Sequence, residues 1–257
     1  MTERRNNSPE TEKSTRAVVL FDIDNTLIYG FSIMLFARYL ADNRVIQNSL
    51  LEQMNKDMKM PRSTEEEYKI FAETIVAHFY QGLKGHTLEE IEKLGQNFLS
   101  DYRIALKPYA VELIQTMENQ GRMIAVSGAP KEAFLPLGSE LGIQPEYLLE
   151  GEIVNGVFTG EVSVNMALGR EKIKAVAEIT AEDFNKQVSY AFGDHLQHDS
   201  PILDAVSSPF LILEENDPHF EKKKREALAK SYIPVTKDDI IQKVKQRIAG
   251  INSRKQT

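Results

Sequence analysis

Apolar residues recur along this chain with two different periods, and the changes between them mark its elements. From Ala17 to Phe21 they run without interruption and stop at Asp22 and Asp24, as in a parallel strand buried on both faces that emerges at its carboxyl end. Helical spacing follows. Phe31, Met34, Leu35 and Tyr39 share a face within Phe31 to Ala41, and Asn43 is a stop signal. A more polar helical pattern covers Arg44 to Met60 and is ended by Pro61. Thr64 opens a stronger helix with Tyr68, Phe71, Ile75 and Phe79 on one face, and another runs from Thr87 to Tyr102. No strand pattern separates these helices, so residues 31–103 are predicted to form an inserted, all-helical cap.

The second pattern resumes with a helix at Tyr109 to Asn119 and an apolar strand, Met123 to Val126, that breaks into Ser127, Gly128, Ala129 and Pro130. Glu132 to Leu141 is helical, with Gly142 placed to end it. Asn155-Gly156 between Ile153-Val154 and Val157-Phe158 predicts a short hairpin with a type I′ turn decorating the core. A helix at Gly169 to Ile179 leads to a third strand, Val188 to Phe192, ending in Gly193 and Asp194. A fourth strand at Phe210 to Leu213, a basic helix at Pro218 to Lys230, a short strand at Tyr232 to Val235 and a helix at Asp238 to Ala249 complete the pattern. The alternation predicts an α/β fold, a Rossmann-like parallel sheet with helices on both faces, built from residues 17–30 and 104–250. Residues 1–16, polar and charged, are expected to be a disordered tail, and 251–257 a second one.

Composition narrows the classes of function. With 257 residues, 42% hydrophobic and 27% charged, the chain suits one large soluble domain or a core with a sizeable insertion. It has no cysteine, which excludes a thiol nucleophile and thiolate metal sites. A net charge of -7 gives no reason to expect a nucleic-acid partner. No apolar run is long enough for a membrane span. The first residues lack the apolar centre of a secretion signal, so a cytoplasmic location is expected. Nothing in the sequence bears on the oligomeric state.

The candidate chemistry gathers at strand ends, where open α/β sheets bind ligands. On its own, the Asp22 and Asp24 pair fits two readings, a polar turn after a core strand or a pair of carboxylates aimed at one locus. Ser127 and Gly128 follow the second strand, Asp194 and Asp199 the third, and Lys172 lies on the helix between. Turns explain each of these separately but not the set.

In this order the residues resemble the four motifs of the haloacid dehalogenase-like phosphatase superfamily: Asp22-Ile23-Asp24-Asn25-Thr26, Ser127, Lys172, and Gly193-Asp194 with Asp199. The helical insertion resembles the cap of the phosphoserine phosphatase-like branch, and Asp199-Ser200-Pro201-Ile202-Leu203 leans the same way. The resemblance implies a phosphomonoester hydrolase for a small phosphorylated substrate. Asp22 would attack phosphorus to form an aspartyl-phosphate, and Asp24 would protonate the leaving alcohol and then activate water. It implies Ser127, Gly128 and Lys172 as holders of the phosphoryl oxygens. Mg²⁺ would be bound by Asp22, the Asp24 carbonyl and Asp194, with Asp199 orienting metal-bound waters or Lys172.

Several residues carry a plainer reading beside the functional one. His195 and His198 are expected to shape a loop rather than bind metal. Lys174 is expected to be a solvated rival of Lys172, Lys222 to Arg225 a solvated helix face, and Arg62 and His78 surface positions in the cap. Where phosphoserine phosphatases carry a glutamate for the serine ammonium, this chain has Phe31, which argues against phosphoserine while leaving an aromatic face for a cation such as choline. A phosphotransferase passing the group to an acceptor alcohol, and a catalytically silent binding protein on the same fold, remain alternatives. The cap is expected to close over the aspartates on hinges near Gly30 and Lys107-Pro108.

Overall fold

The computed structural model describes residues 17–181 and 184–254. The expected tail at 1–16 lies outside the described residues, as do 255–257. β1 (Val18–Phe21) is buried over its whole length, in keeping with its unbroken apolar run. Four helices follow: α1 (Ser32–Asp42), α2 (Asn48–Asp57), α3 (Glu65–Leu83) and α4 (Leu88–Ile104). α3 begins where sequence predicts, because Thr64 Oγ1 accepts from the Glu67 amide at 3.2 Å while the Glu67 carboxylate turns back to the Thr64 amide. α2 is shorter than its pattern suggests. Arg44 takes a φ of 63°, which breaks the chain out of helix before Gln47 restarts it.

The chain then forms α5 (Ala110–Met117), β2 (Arg122–Pro130), α6 (Lys131–Leu141), β3 (Gln144–Val154), β4 (Val157–Val164) and α7 (Gly169–Ala181). β5 (Tyr190–Gly193), α8 (Ser200–Asp204), β6 (Ser208–Ile212), α9 (Phe220–Ala229), β7 (Ile233–Val235) and α10 (Ile240–Arg254) complete it. The closing helix thus continues past Ala249 to Arg254, and Ile251 on it is buried. No helix among the described residues is long and apolar enough to cross a membrane.

The seven strands form one sheet in the order β4-β3-β2-β1-β5-β6-β7, parallel except for the edge strand β4. Parallel pairing on both sides of β1 sets Phe21 level with Ala125 and with Phe192. The residues that follow those three positions therefore lie at the same end of the sheet. Phe21, Phe192 and Phe210 stack across neighbouring strands at 5.1 Å centroid spacing and stiffen that end.

The expected short hairpin is corrected in extent. Its turn forms with Asn155 at φ 54° and Gly156 at φ 79°, as Asn-Gly favours, but β3 is a long strand paired in parallel with β2. Register shifts beside Val126 interrupt that pairing, and the polar and proline residues at the start of β3 hide the strand from a periodicity reading. β2 likewise runs through Ser127 and Gly128 to Pro130, where sequence suggests a loop.

The cap is tied to the core at two places. At the base, the Tyr29 amide donates to the Ala105 carbonyl at 2.8 Å and the Lys107 amide to the Leu27 carbonyl at 2.9 Å, so the two connecting segments pair with each other. At the far end the loop between α3 and α4 pairs with the hairpin. The Gly85 and Leu88 amides donate to the Phe158 and Gly156 carbonyls, and the Phe158 amide donates to the His86 carbonyl, each at 2.9 Å.

α4 also presses directly on α6. A Cβ on Gly95 would lie 2.1 Å from the Glu132 carbonyl oxygen. Alanine inside a helix normally stabilises by about 1 kcal/mol over glycine, yet here the crossing forbids it. Gly95→Ala is expected to lower stability by about 2 kcal/mol in denaturant unfolding, since overpacking costs roughly 1–3 kcal/mol and more where backbone cannot yield. A raised midpoint would contradict this close approach.

Candidate active site

The carboxyl edge of the sheet brings together residues far apart in sequence. Asp22 follows β1, and its amide donates to the Phe192 carbonyl at 2.9 Å, which fixes it against β5. Lys172, on the first turns of α7 and only 3% exposed, donates to Asp22 Oδ1 at 2.8 Å and to Asp199 Oδ1 at 2.7 Å. Asp199 Oδ2 accepts from the amides of Asp194 and His195 at 3.0 and 2.9 Å. The glycine before Asp194 permits this fold-back, because a Cβ at Gly193 would sit 2.7 Å from the Asp199 carboxylate. The Ser127 side chain is fully buried, with its Oγ accepting from the Ile23 amide at 3.2 Å, and Gly128 beside it lines the cavity. The exposed Lys174 pairs instead with Glu171 at 3.0 Å, leaving Lys172 as the lysine at the site.

Asp24 is held by residues that the sequence gives no reason to select. Its Oδ1 accepts from the Ser32 amide at 2.9 Å and from the Ser32 hydroxyl, which in turn lies 2.5 Å from the Tyr102 hydroxyl. Ser32 opens α1 and Tyr102 closes α4, so the cap itself orients this carboxylate. The Thr26 hydroxyl donates to Asp22 Oδ2 at 3.3 Å. Ser32 and Tyr102 are both fully buried polar groups inside helical patterns, a property invisible to spacing alone.

Burial in a low dielectric governs the charges. It pushes the Asp22 carboxyl up to about 7 against the pull of Lys172, with the Asp199 and Asp24 charges adding to the rise. Burial likewise pushes Asp24 up to about 6, restrained by the hydrogen bonds from Ser32. Asp194 is raised well above the carboxylate range by burial and by the charges of Asp199 and Asp22. For Asp199 burial is outweighed, and the Lys172 ammonium and the His195 amide hold it below its ordinary value. Burial disfavours a charged Lys172 too, but Asp199 and Asp22 raise it above the usual lysine range.

One ammonium thus faces several carboxylates, an arrangement short of positive charge. Asp22, Asp194 and Asp199 each offer an oxygen within 4.8 Å of the others. Among the described residues nothing donates a hydrogen bond to the Asp194 carboxylate, whereas both oxygens of Asp199 are taken. Hard oxygen donors converging in a charge-deficient pocket suit a hard divalent cation such as Mg²⁺.

A cavity of about 290 Å³ opens above these groups. Asp22, Asp24, Lys172 and Asp194 lie on its core side, and Phe31, Met58, Arg62, Phe71 and Ile75 face it from the cap. Tyr68, on the first turns of α3, stacks on His198 at 3.4 Å between ring centroids, and His198 stacks on His195 at 4.1 Å. His195 Nδ1 accepts from the Gln197 and His198 amides at 3.2 Å, so this ring shapes its own loop. His78 pairs with Asp57 within the cap at 2.6 Å. Arg62 is exposed, as expected of a surface position in the cap, and it also borders the cavity.

The chain belongs to the haloacid dehalogenase-like hydrolases, whose family model matches residues 19–204. A Mycobacterium leprae (strain TN) protein named as a hydrolase is 25% identical over 213 residues, covering 79% of this chain and 69% of that one. Among solved structures, a Bordetella pertussis Tohama I protein of unknown function aligns with a TM-score of 0.66 at 22% identity, over 86% of this chain and 99% of that one. A phospho-aspartyl intermediate analogue of phosphoserine phosphatase aligns with a TM-score of 0.56 at 22% identity, over 84% and 99%. These two likenesses are likenesses of fold.

The raised carboxyls make the metal-free fold pH-sensitive. With Asp22 and Asp24 titrating at about 7 and about 6, against 3.8 ordinarily, the folded chain keeps protons that the unfolded chain has lost across that window. Stability is then present at low pH and lost as pH rises through those values. Asp199, held low, acts oppositely but only near and below its ordinary range. In chelator-treated protein, stability is expected to fall by roughly 2 kcal/mol or more between about pH 5 and pH 8. Asp24→Asn should flatten the slope, and a wild-type profile that rises over this range would refute the charge assignment.

Proposed function

We propose that this chain is a Mg²⁺-dependent phosphomonoester hydrolase that works through an aspartyl-phosphate on Asp22. The observation that carries the reading is the Asp22 carboxylate on the cavity floor, 2.8 Å from the Lys172 ammonium and grouped with Asp194. In the first half-reaction an Asp22 oxygen attacks phosphorus, and the bond to the leaving oxygen breaks. Asp24 delivers a proton to that oxygen. Its carboxyl, pushed up to about 6 by burial, can hold a proton at near-neutral pH and still release it.

In the second half-reaction Asp24, now a carboxylate, takes a proton from water as the water oxygen attacks phosphorus. The bond from phosphorus to Asp22 breaks, giving inorganic phosphate and the starting carboxylate. The hydrogen bonds from Ser32 leave Asp24 Oδ2 with no donor among the described residues, free to serve both steps. Lys172 and the Gly128 amide neutralise the phosphoryl oxygens, with the Ser127 hydroxyl donating from beneath. Asp22, the Asp24 carbonyl and Asp194 would hold Mg²⁺, and Asp199 keeps Lys172 in place. The cation would supply positive charge to the transferring group.

A cavity of about 290 Å³ supports a small phosphorylated molecule as the substrate. Asp22→Asn is expected to reduce Mg²⁺-dependent phosphate release at least about a thousandfold, and Asp24→Asn to accumulate a phosphorylated chain from an ester with an acidic leaving alcohol. Phosphate release and intact-protein mass measure both. Full turnover by Asp22→Asn would sink the reading, and products carrying the phosphate on an added alcohol would make the chain a phosphotransferase.

A further inference from the structure

We infer that Arg62 selects phosphomonoesters whose leaving alcohol has an apolar body ending in a second anion. This rests on the hydrolase reading above and adds the substrate class. The roof of the cavity is built from Phe31, Met58, Phe71 and Ile75, so the part of a substrate beyond the phosphoryl group meets apolar surface. Arg62 supplies the positive charge in that roof. Its guanidinium lies 4.8 Å from the centroid of the Phe71 ring and 5.6 Å from that of Phe31, held by the faces of both.

Nothing nearby neutralises it. Its hydrogen bond goes to the Met58 carbonyl at 3.3 Å, and among the described residues no carboxylate reaches it. In the acidic first turn of α3, Glu67 is turned back on the Ser63 and Thr64 amides and Glu66 is paired with Lys69 at 3.8 Å. An arginine laid over two rings, exposed at the mouth of the cavity and without a carboxylate partner among the described residues, is placed to take a substrate carboxylate or phosphate through several N–H donors at once.

The same geometry reverses the expectation of a cation such as choline. The Phe31 ring already carries a guanidinium, so a substrate ammonium brought to it would meet like charge. Three aryl phosphates with a common ring separate the possibilities: 4-methylphenyl phosphate, its 4-carboxymethyl analogue and its 4-(trimethylammonio)methyl analogue. The methylene keeps the acidity of the methyl and carboxymethyl phenols close, and the ammonium analogue's phenol, being the more acidic, leaves more readily, so a low rate for that ester reflects its binding.

Wild-type protein is expected to prefer the carboxymethyl ester over the methyl ester by about tenfold in kcat/KM, mainly through KM, and to handle the ammonium ester worst. Arg62→Met should erase that ranking and Arg62→Lys should keep part of it. Hydrolysis of all three esters without preference, or an unchanged ranking in Arg62→Met, overturns the inference while leaving the hydrolase reading intact. Calorimetric binding of the corresponding benzylphosphonates to wild type and Arg62→Met decides the matter independently of turnover. A preference for the carboxymethyl compound lost in the variant upholds the inference even with no ester hydrolysed, and equal affinities overturn it.

Discussion

Lys172 lies buried where acidic side chains from three segments converge, and its ammonium makes that convergence tolerable. Removing one partner from a buried ion cluster typically costs about 3–5 kcal/mol, because the remaining charges stay desolvated. The backbone around the cluster is arranged to the same end. Parallel register brings Asp22 and Asp194 out at one level, and the missing side chain at Gly193 lets Asp199 fold back to both Lys172 and the loop amides. Burial raises the Asp22, Asp24 and Asp194 carboxyls, and the excess of negative charge that remains adds to the rise and suits the pocket to a cation.

The helical insertion does more than cover this cluster. Through Ser32 and Tyr102 it holds Asp24, so the carboxyl proposed for acid–base work depends on the cap although it belongs to the core in sequence. Through Phe31, Phe71 and Arg62 it lines the side of the cavity that faces the aspartates. On the proposed mechanism, attack on phosphorus and choice of substrate are divided between the two layers, with Asp24 at the seam.

Much of this was legible in the sequence, for identifiable reasons. β1 is a central strand, and its unbroken apolar run says so. The caps at Thr64 and Thr87 are local chemistry and appear where predicted. The motif residues could be ordered because each follows an apolar run or opens a helix. β3 escaped because its pairing is interrupted and its residues alternate irregularly between buried and exposed. Ser32 and Tyr102 escaped for a different reason. Their roles come from helices packing across the insertion, and nothing in the spacing of one helix reports what faces it.

The two fastenings of the cap change how the chamber is entered. Segments expected to act as hinges are zipped to one another at Tyr29 and Ala105, while the opposite end is stapled to the hairpin beyond Asn155. A body held at both ends swings open only by breaking one of those pairings. Across the rim, α3 meets the core through side chains, with Tyr68 stacked on His198 and Glu73 3.8 Å from Arg170. On the proposed function, a small ester then reaches Asp22 by parting side chains while the backbone fastenings of the cap stay shut.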